Sequence, residues 1–172
     1  MAARQIALAG AAVLRAAARP VLEVDESVAR LLDDLRDTMR GAGGVGLAAP
    51  QIGILRRAIV VDDGRGAWEL VNPAIAAQSG ESVARESCLS LPGRRFWVRR
   101  FAEVFVTGRD RRGRPVEREA RGLLARRLQH EIDHLNGVLL SDRAETERPE
   151  CGEEMEPWNG RACSLWVLPL LP

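Results

Sequence analysis

The chain contains only two histidines, His130 and His134, and they stand four residues apart in His130-Glu131-Ile132-Asp133-His134. That spacing sets both imidazoles on one face of a helix, one turn apart. The sequence predicts this helix from near Gly122 to about Asn136, with Gly137 as its stop. Whatever fold the chain adopts must bring further groups to that face. Two imidazoles so placed can grip one metal ion, and Glu131, beside the first, is set to serve a water rather than the metal. The bland alternative is a pair of surface histidines on an amphipathic helix. The adjacent glutamate weighs against it.

A hydrolytic metal site of this kind usually has three protein ligands and one open position. The zincin pattern with a third histidine fails, because Leu140 occupies that position although Gly137 fits the spacing. A downstream carboxylate, Glu153 or Glu154, is a second option, in a stretch that Pro149 and Gly152 make poor helix material. Cys88 is the better candidate. It lies in Glu86-Ser87-Cys88-Leu89-Ser90-Leu91-Pro92-Gly93, which reads as a polar loop. A lone cysteine is more often a small core residue than a ligand. The stretch Gly44-Val45-Gly46-Leu47-Ala48-Ala49-Pro50-Gln51 lacks the features of a phosphate loop. It suits close backbone approach to an extended ligand, with Gln51 as an amide donor toward a developing oxyanion.

The remainder of the chain predicts an α+β domain. Asp25-Glu26-Ser27 opens a first helix, whose buried face is Val28, Leu31, Leu32, Leu35 and Met39. The glycines between Gly41 and Gly46 end it. Strands are expected at Ala58–Val61, Trp68–Val71, Glu103–Val106 and Pro115–Glu119, with Asp110–Gly113 as a turn. The 25 basic and 24 acidic residues leave a formal charge of +1, which offers nucleic acid no global field. Three cysteines, an odd and sparse set, suit a reducing compartment. No apolar run is long enough for a membrane span. Arg4 and the stretch from Ile6 to Leu14 have some likeness to a leader, but Arg15 interrupts it.

Three segments, Gly44–Gln51, Glu86–Ser90 and Gln129–Leu135, in this order, resemble the defining motifs of the peptide deformylase family. The resemblance runs from about Ile6 through Arg143. It implies a catalytic domain over residues 1–143, with mixed or antiparallel sheets around a central helix carrying the histidine pair, and a divergent tail over residues 144–172. It further implies Cys88, His130 and His134 as metal ligands and Glu131 as general base and acid. Gln51 and the backbone N–H of Leu89 are then oxyanion donors, and Gly44, Val45 and Gly46 the strip against the bound peptide. The implied cofactor is one divalent ion, natively ferrous iron, with nickel, cobalt or zinc accepted. The implied substrates are N-formylmethionyl peptides emerging from the ribosome, handled by a monomer in the bacterial cytoplasm, or alternatively in an organelle, without nucleic acid or membrane. Two other readings are a zincin-type metallopeptidase and a non-catalytic formyl-peptide-binding relative. Two positions depart from the family pattern: Ser87 stands in place of a glycine, and Arg127 stands where a small or apolar residue is usual.

Overall fold

The computed structural model describes residues 3–145. Its strands are β1 (Gly46–Ala48), β2 (Ala58–Asp62), β3 (Ala67–Ser79), β4 (Ser82–Cys88), β5 (Leu91–Arg100), β6 (Glu103–Arg109) and β7 (Pro115–Arg121). Its α-helices are α1 (Glu26–Gly41) and α2 (Gly122–Leu135). Five strands form one sheet in the order β1-β2-β3-β6-β7, and β4 and β5 form a second, two-stranded sheet. Every pairing between these strands is antiparallel. The α+β class expected from the sequence is the class observed.

The larger sheet lies between the two helices, and β2 shows why its sequence is apolar throughout. Ala58 and Val60 join Val28, Leu31, Leu32, Leu35 and Met39 of α1 in one core cluster. Ile59 and Val61 join Ala125, Leu128, Ile132 and Leu135 of α2 in another. Side chains alternate along a strand, so a strand covered on both faces needs apolar residues at every position. Leu47 and Ala48 of β1 divide between the same two clusters. Asp25 caps α1 by accepting from the Val28 N–H at 3.0 Å, as its position before the apolar stripe predicts.

Several elements exceed or escape the sequence reading. The strand predicted to stop at Asn72-Pro73 continues to Ser79, because a register shift between Val71 and Ala74 accommodates the proline. Asn72 sits at that shift with φ of 51° and holds both backbone groups of Val21 through its side-chain amide. The glycine-rich stretch is not wholly a loop, since β1 begins within it and a short 3₁₀ turn, Ala49–Ile52, follows. Both β4 and β5 were unforeseen, and Cys88 is the last residue of β4 rather than part of a loop. The N-terminal segment is tied to the body: Ala7 donates to the Gln51 carbonyl and Ala9 to the Ser90 carbonyl, each at 2.8 Å. Beyond Arg143, Ala144 bridges to Val98 and the Glu145 N–H donates to the Trp97 carbonyl at 2.9 Å. No helix among the described residues is long and apolar enough to cross a membrane. Glu153, Glu154, Cys151, Cys163 and the rest of the predicted tail from residue 146 lie outside the described residues.

Candidate metal centre and active site

Helix α2 carries His130 and His134 against the ends of β1 and β4. One donor atom from each of Cys88, His130 and His134 lies within 4.8 Å of the other two. Cys88 Sγ is 3.3 Å from His134 Nε2, and the two imidazoles meet edge to face with centroids 5.0 Å apart. Leu140, at the position a third histidine would need, is buried in an apolar cluster with Cys88, Leu91 and Val98. The third donor among the described residues is therefore the sulfur.

A charged network fixes this arrangement from behind. Glu86, two residues before Cys88 and on the same inward face of β4, accepts from His130 Nδ1 at 2.9 Å. It also receives Arg100 through Nε at 3.0 Å and Nη2 at 3.1 Å, and Arg126 Nη1 at 2.6 Å. Arg100 reaches on to Asp133, which Arg143 grips through Nη2 at 2.8 Å. Holding Nδ1 orients the His130 ring and leaves Nε2 for a metal, the usual arrangement behind a ligating imidazole. Arg126 further donates to the Val98 carbonyl and the Ser82 carbonyl. The small sheet is thereby clamped to α2.

Glu131 faces the glycine strip. A Cβ on Gly46 would fall 2.3 Å from Glu131 Oε1, and one on Gly44 would fall 2.7 Å from the Leu89 side chain. At Gly46 the Cβ would also lie 2.9 Å from Glu131 Cδ, so a side chain there would displace the glutamate, whereas at Gly44 the end of Leu89 would have to swing aside. Gln51 is buried, its Oε1 accepting from the Ala48 N–H at 2.9 Å. Its Nε2 donates to Ser90 Oγ at 3.1 Å and points at Cys88 Sγ at 3.7 Å. Val45, between the two glycines, is exposed, and its carbonyl accepts from the Asp62 N–H at 2.9 Å.

Burial and the charged network shift the acid–base behaviour of the cluster. Burial opposes charge on His130, yet hydrogen bonds to Cys88 and Glu86 outweigh it and push the imidazole up to about 10. Burial, aided by the charges of His130 and Arg100, holds His134 well below its ordinary value. Burial would raise Glu86 also, but hydrogen bonds from His130 and Arg100 bring it down to about 2. Burial lifts Glu131 to about 7, against the pull of His130. His134 Nδ1 and Glu131 Oε2 are buried with no hydrogen-bond partner among the described residues. The donor set of one thiol and two imidazoles fits a transition metal.

The structure thus gathers Cys88, His130, His134, Glu131, Gln51, Leu89, Gly44 and Gly46 around one point, with Val45 at its rim. Sequence reasoning missed Glu86, Ser90, Arg100, Arg126 and Asp133. Two signals were available: Arg126 precedes His130 by one helical turn, and Glu86 precedes Cys88 by the strand period of two. Ser87 points outward and is exposed on β4, so its Cβ meets no core. Arg127 is half-buried, and its Nη1 donates to the Asp62 carbonyl at 2.6 Å.

Fold and site together define a metal-binding hydrolase centre carried on a helix with the His-Glu-x-x-His pattern. Comparison with known proteins makes the assignment specific. The profile of the polypeptide deformylase family matches residues 3–150. The peptide deformylase of Desulfitobacterium hafniense is 49% identical over 144 residues, covering 84% of this chain and 96% of that protein. The peptide deformylase of Syntrophomonas wolfei is 52% identical over 132 residues, covering 77% and 87%. The crystal structure of the Thermotoga maritima peptide deformylase superposes with a TM-score of 0.83 at 40% identity, covering 84% of this chain and 99% of that one. That of a Legionella pneumophila peptide deformylase gives 0.81 at 45% identity, covering 84% and 88%. The chain belongs to the polypeptide deformylase family.

Proposed function

We propose that this chain hydrolyses the formamide of N-formylmethionyl peptides, releasing formate and a free N-terminal amine. The observation that carries the reading is the convergence of Cys88, His130 and His134 beside a buried Glu131 and a glycine strip. In this reading Cys88 Sγ and the two imidazoles hold one divalent ion. When bound, the ion supplies Lewis acidity toward the formyl oxygen and toward water. Ferrous iron is our choice for the native metal, with nickel, cobalt or zinc as substitutes, since thiolate and imidazole donors suit these ions.

The protein groups then have separate tasks. Glu131, whose proton affinity burial raises above the ordinary carboxylate range, is placed both to take a proton and to return one. It takes a proton from the attacking water and delivers it to the amine as the C–N bond breaks. Gln51 Nε2, held by Ser90 and aimed toward Cys88 Sγ, donates to the oxygen as charge gathers there. The backbone N–H of Leu89 is the second donor. Among the described residues β1 pairs only with β2 within the sheet, which leaves its other edge for an extended peptide along Gly44, Val45 and Gly46. We assign catalysis to residues 1–143 and no role to residues 144–172. The setting we infer is the bacterial cytoplasm, where a monomer meets chains emerging from the ribosome.

The direct test is an anaerobic assay of formate release from a formyl-Met tripeptide, with metal analysis on the same sample. Turnover that scales with bound metal supports the proposal. Turnover of unformylated peptides at internal bonds, without formate, contradicts it and favours a metallopeptidase.

A further inference from the structure

Gln51 stands in the short 3₁₀ turn Ala49–Ile52, and both ends of its amide are spoken for. Oε1 accepts from the Ala48 N–H, and Nε2 donates to Ser90 Oγ at 3.1 Å. Ser90 therefore decides where the amide nitrogen points. It stands in the equally short turn between β4 and β5, and both residues are buried. An amide on one turn, aimed by a hydroxyl on another, keeps its direction only while the two turns keep their distance. Turns hold themselves less firmly than the ladders they join, so a tie between them matters.

Residues 4–9 supply that tie. The Ala7 N–H donates to the Gln51 carbonyl and the Ala9 N–H to the Ser90 carbonyl, each at 2.8 Å. The segment is itself anchored on α1: the Arg4 N–H donates to Thr38 Oγ1 at 2.9 Å, and its guanidinium grips Asp34 at 2.8 and 3.0 Å. After the crossing, a turn from Leu8 to Ala11 is closed by the Ala11 N–H on the Leu8 carbonyl at 3.0 Å. Gly10 has φ of 109° there, the positive value that a type II turn needs at its third residue. Ile6 packs against the α1 core, but Ala9 is exposed and Leu8 is 54% exposed. Apolar burial thus accounts for Ile6 and not for the crossing at Ala7 and Ala9.

We propose that Ala7 and Ala9, through their backbone N–H groups, are positioning residues that aim the Gln51 amide at the developing oxyanion. Ala7 fixes the backbone of Gln51, and Ala9 fixes Ser90, whose hydroxyl receives the amide. This rests on the deformylase reading above. A donor of this kind stabilises charge only when it is aimed beforehand at the place where charge gathers. A displacement of about 1 Å from a change far from the chemistry can cost roughly a hundredfold in rate. None of the segment's hydrogen bonds among the described residues goes to Cys88, His130 or His134, so metal binding does not depend on it.

The test is Ala9→Pro, because proline suits the second residue of a type II turn and removes the N–H. Ala9→Gly, which keeps the N–H, is its control. Each is measured alone and combined with Gln51→Leu, for kcat and KM on a formyl-Met tripeptide, for metal content and for thermal melting. We expect Ala9→Pro to lower kcat about tenfold with KM and metal content at wild-type values, and Ala9→Gly to stay close to wild type. In the Gln51→Leu background Ala9→Pro should cost about twofold or less, since the donor it aims is gone. Should Ala9→Pro fail to fold, Arg4→Ala frees the segment at α1 with both N–H groups in place and should show the same pattern at smaller size. An unaltered kcat, or an equal loss with and without Gln51, overturns the proposal and leaves the segment a structural brace. No formate from wild type overturns it together with the deformylase reading, which separates the two failures.

Discussion

The two sheets of this protein are held by different physics. The five-stranded sheet is gripped between α1 and α2 by aliphatic side chains, including Leu32, Leu35, Ile59, Val60, Leu128 and Leu135. The two-stranded sheet has a small apolar cluster around Cys88, Leu91, Val98 and Leu140. Its inward face also carries Glu86 and Arg100, tied to Arg126, His130 and Asp133 of α2. Apolar burial is directionless and tolerates small displacements. A buried ion network is not: it strongly penalises the loss of one partner, and in return it fixes angles. The large sheet makes the body stable, and the small sheet aims the ligands.

Removing one member on each side sharpens that contrast. Glu86→Gln deletes the charge shared by Arg100, Arg126 and His130. Breaking a buried pair costs about 3–5 kcal/mol, and losing the partner behind a ligating histidine weakens metal binding about 10–100-fold. Denaturant melts beside metal titration with a competing chelator read both effects. Leu32→Ala, on the α1 side of the large sheet, should cost about 2–5 kcal/mol by leaving a cavity. In the folded fraction its metal affinity and kcat should match wild type. Equal damage to metal binding from both variants would dissolve the distinction between the two regions.

Gln51 joins the regions, since its amide ties Ala48 of β1 to Ser90 beside the small sheet. Gln51→Leu should lower kcat by about a hundred- to a thousandfold, as loss of one oxyanion donor does. Substrate binding should change less, and metal content should remain at the wild-type level. A variant that loses thermal stability with an unaltered kcat would make Gln51 a brace only.

The same contrast explains what the sequence disclosed. Helix α1, with its Asp25 cap and apolar stripe, and β2, with its unbroken apolar run, follow the rules of a core built from hydrocarbon, so both were legible. Helix α2 was legible because two histidines four apart have few other uses. Strands β4 and β5 were not, because the residues they turn inward include Glu86 and Arg100. Those residues give the alternation of a strand the wrong polarity. Cys88 was visible as a candidate ligand, yet its place at a strand end was hidden by that same inversion. Local pattern fails here where the chain serves the site rather than the core. Arg127 was visible as an odd residue, but its attachment to Asp62 depends on β2 lying beside α2, which local pattern cannot show.

In this reading a thiolate from the small sheet completes a metal site begun by two histidines on α2. Its most direct test is the metal-to-protein ratio of Cys88→Ser, purified anaerobically beside wild type. A neutral hydroxyl replaces the sulfur, while the core around Leu91, Val98 and Leu140 keeps nearly the same volume. We expect the variant to remain folded and to lose its bound metal. A folded Cys88→Ser protein with the wild-type metal content would remove Cys88 from the site and contradict the account.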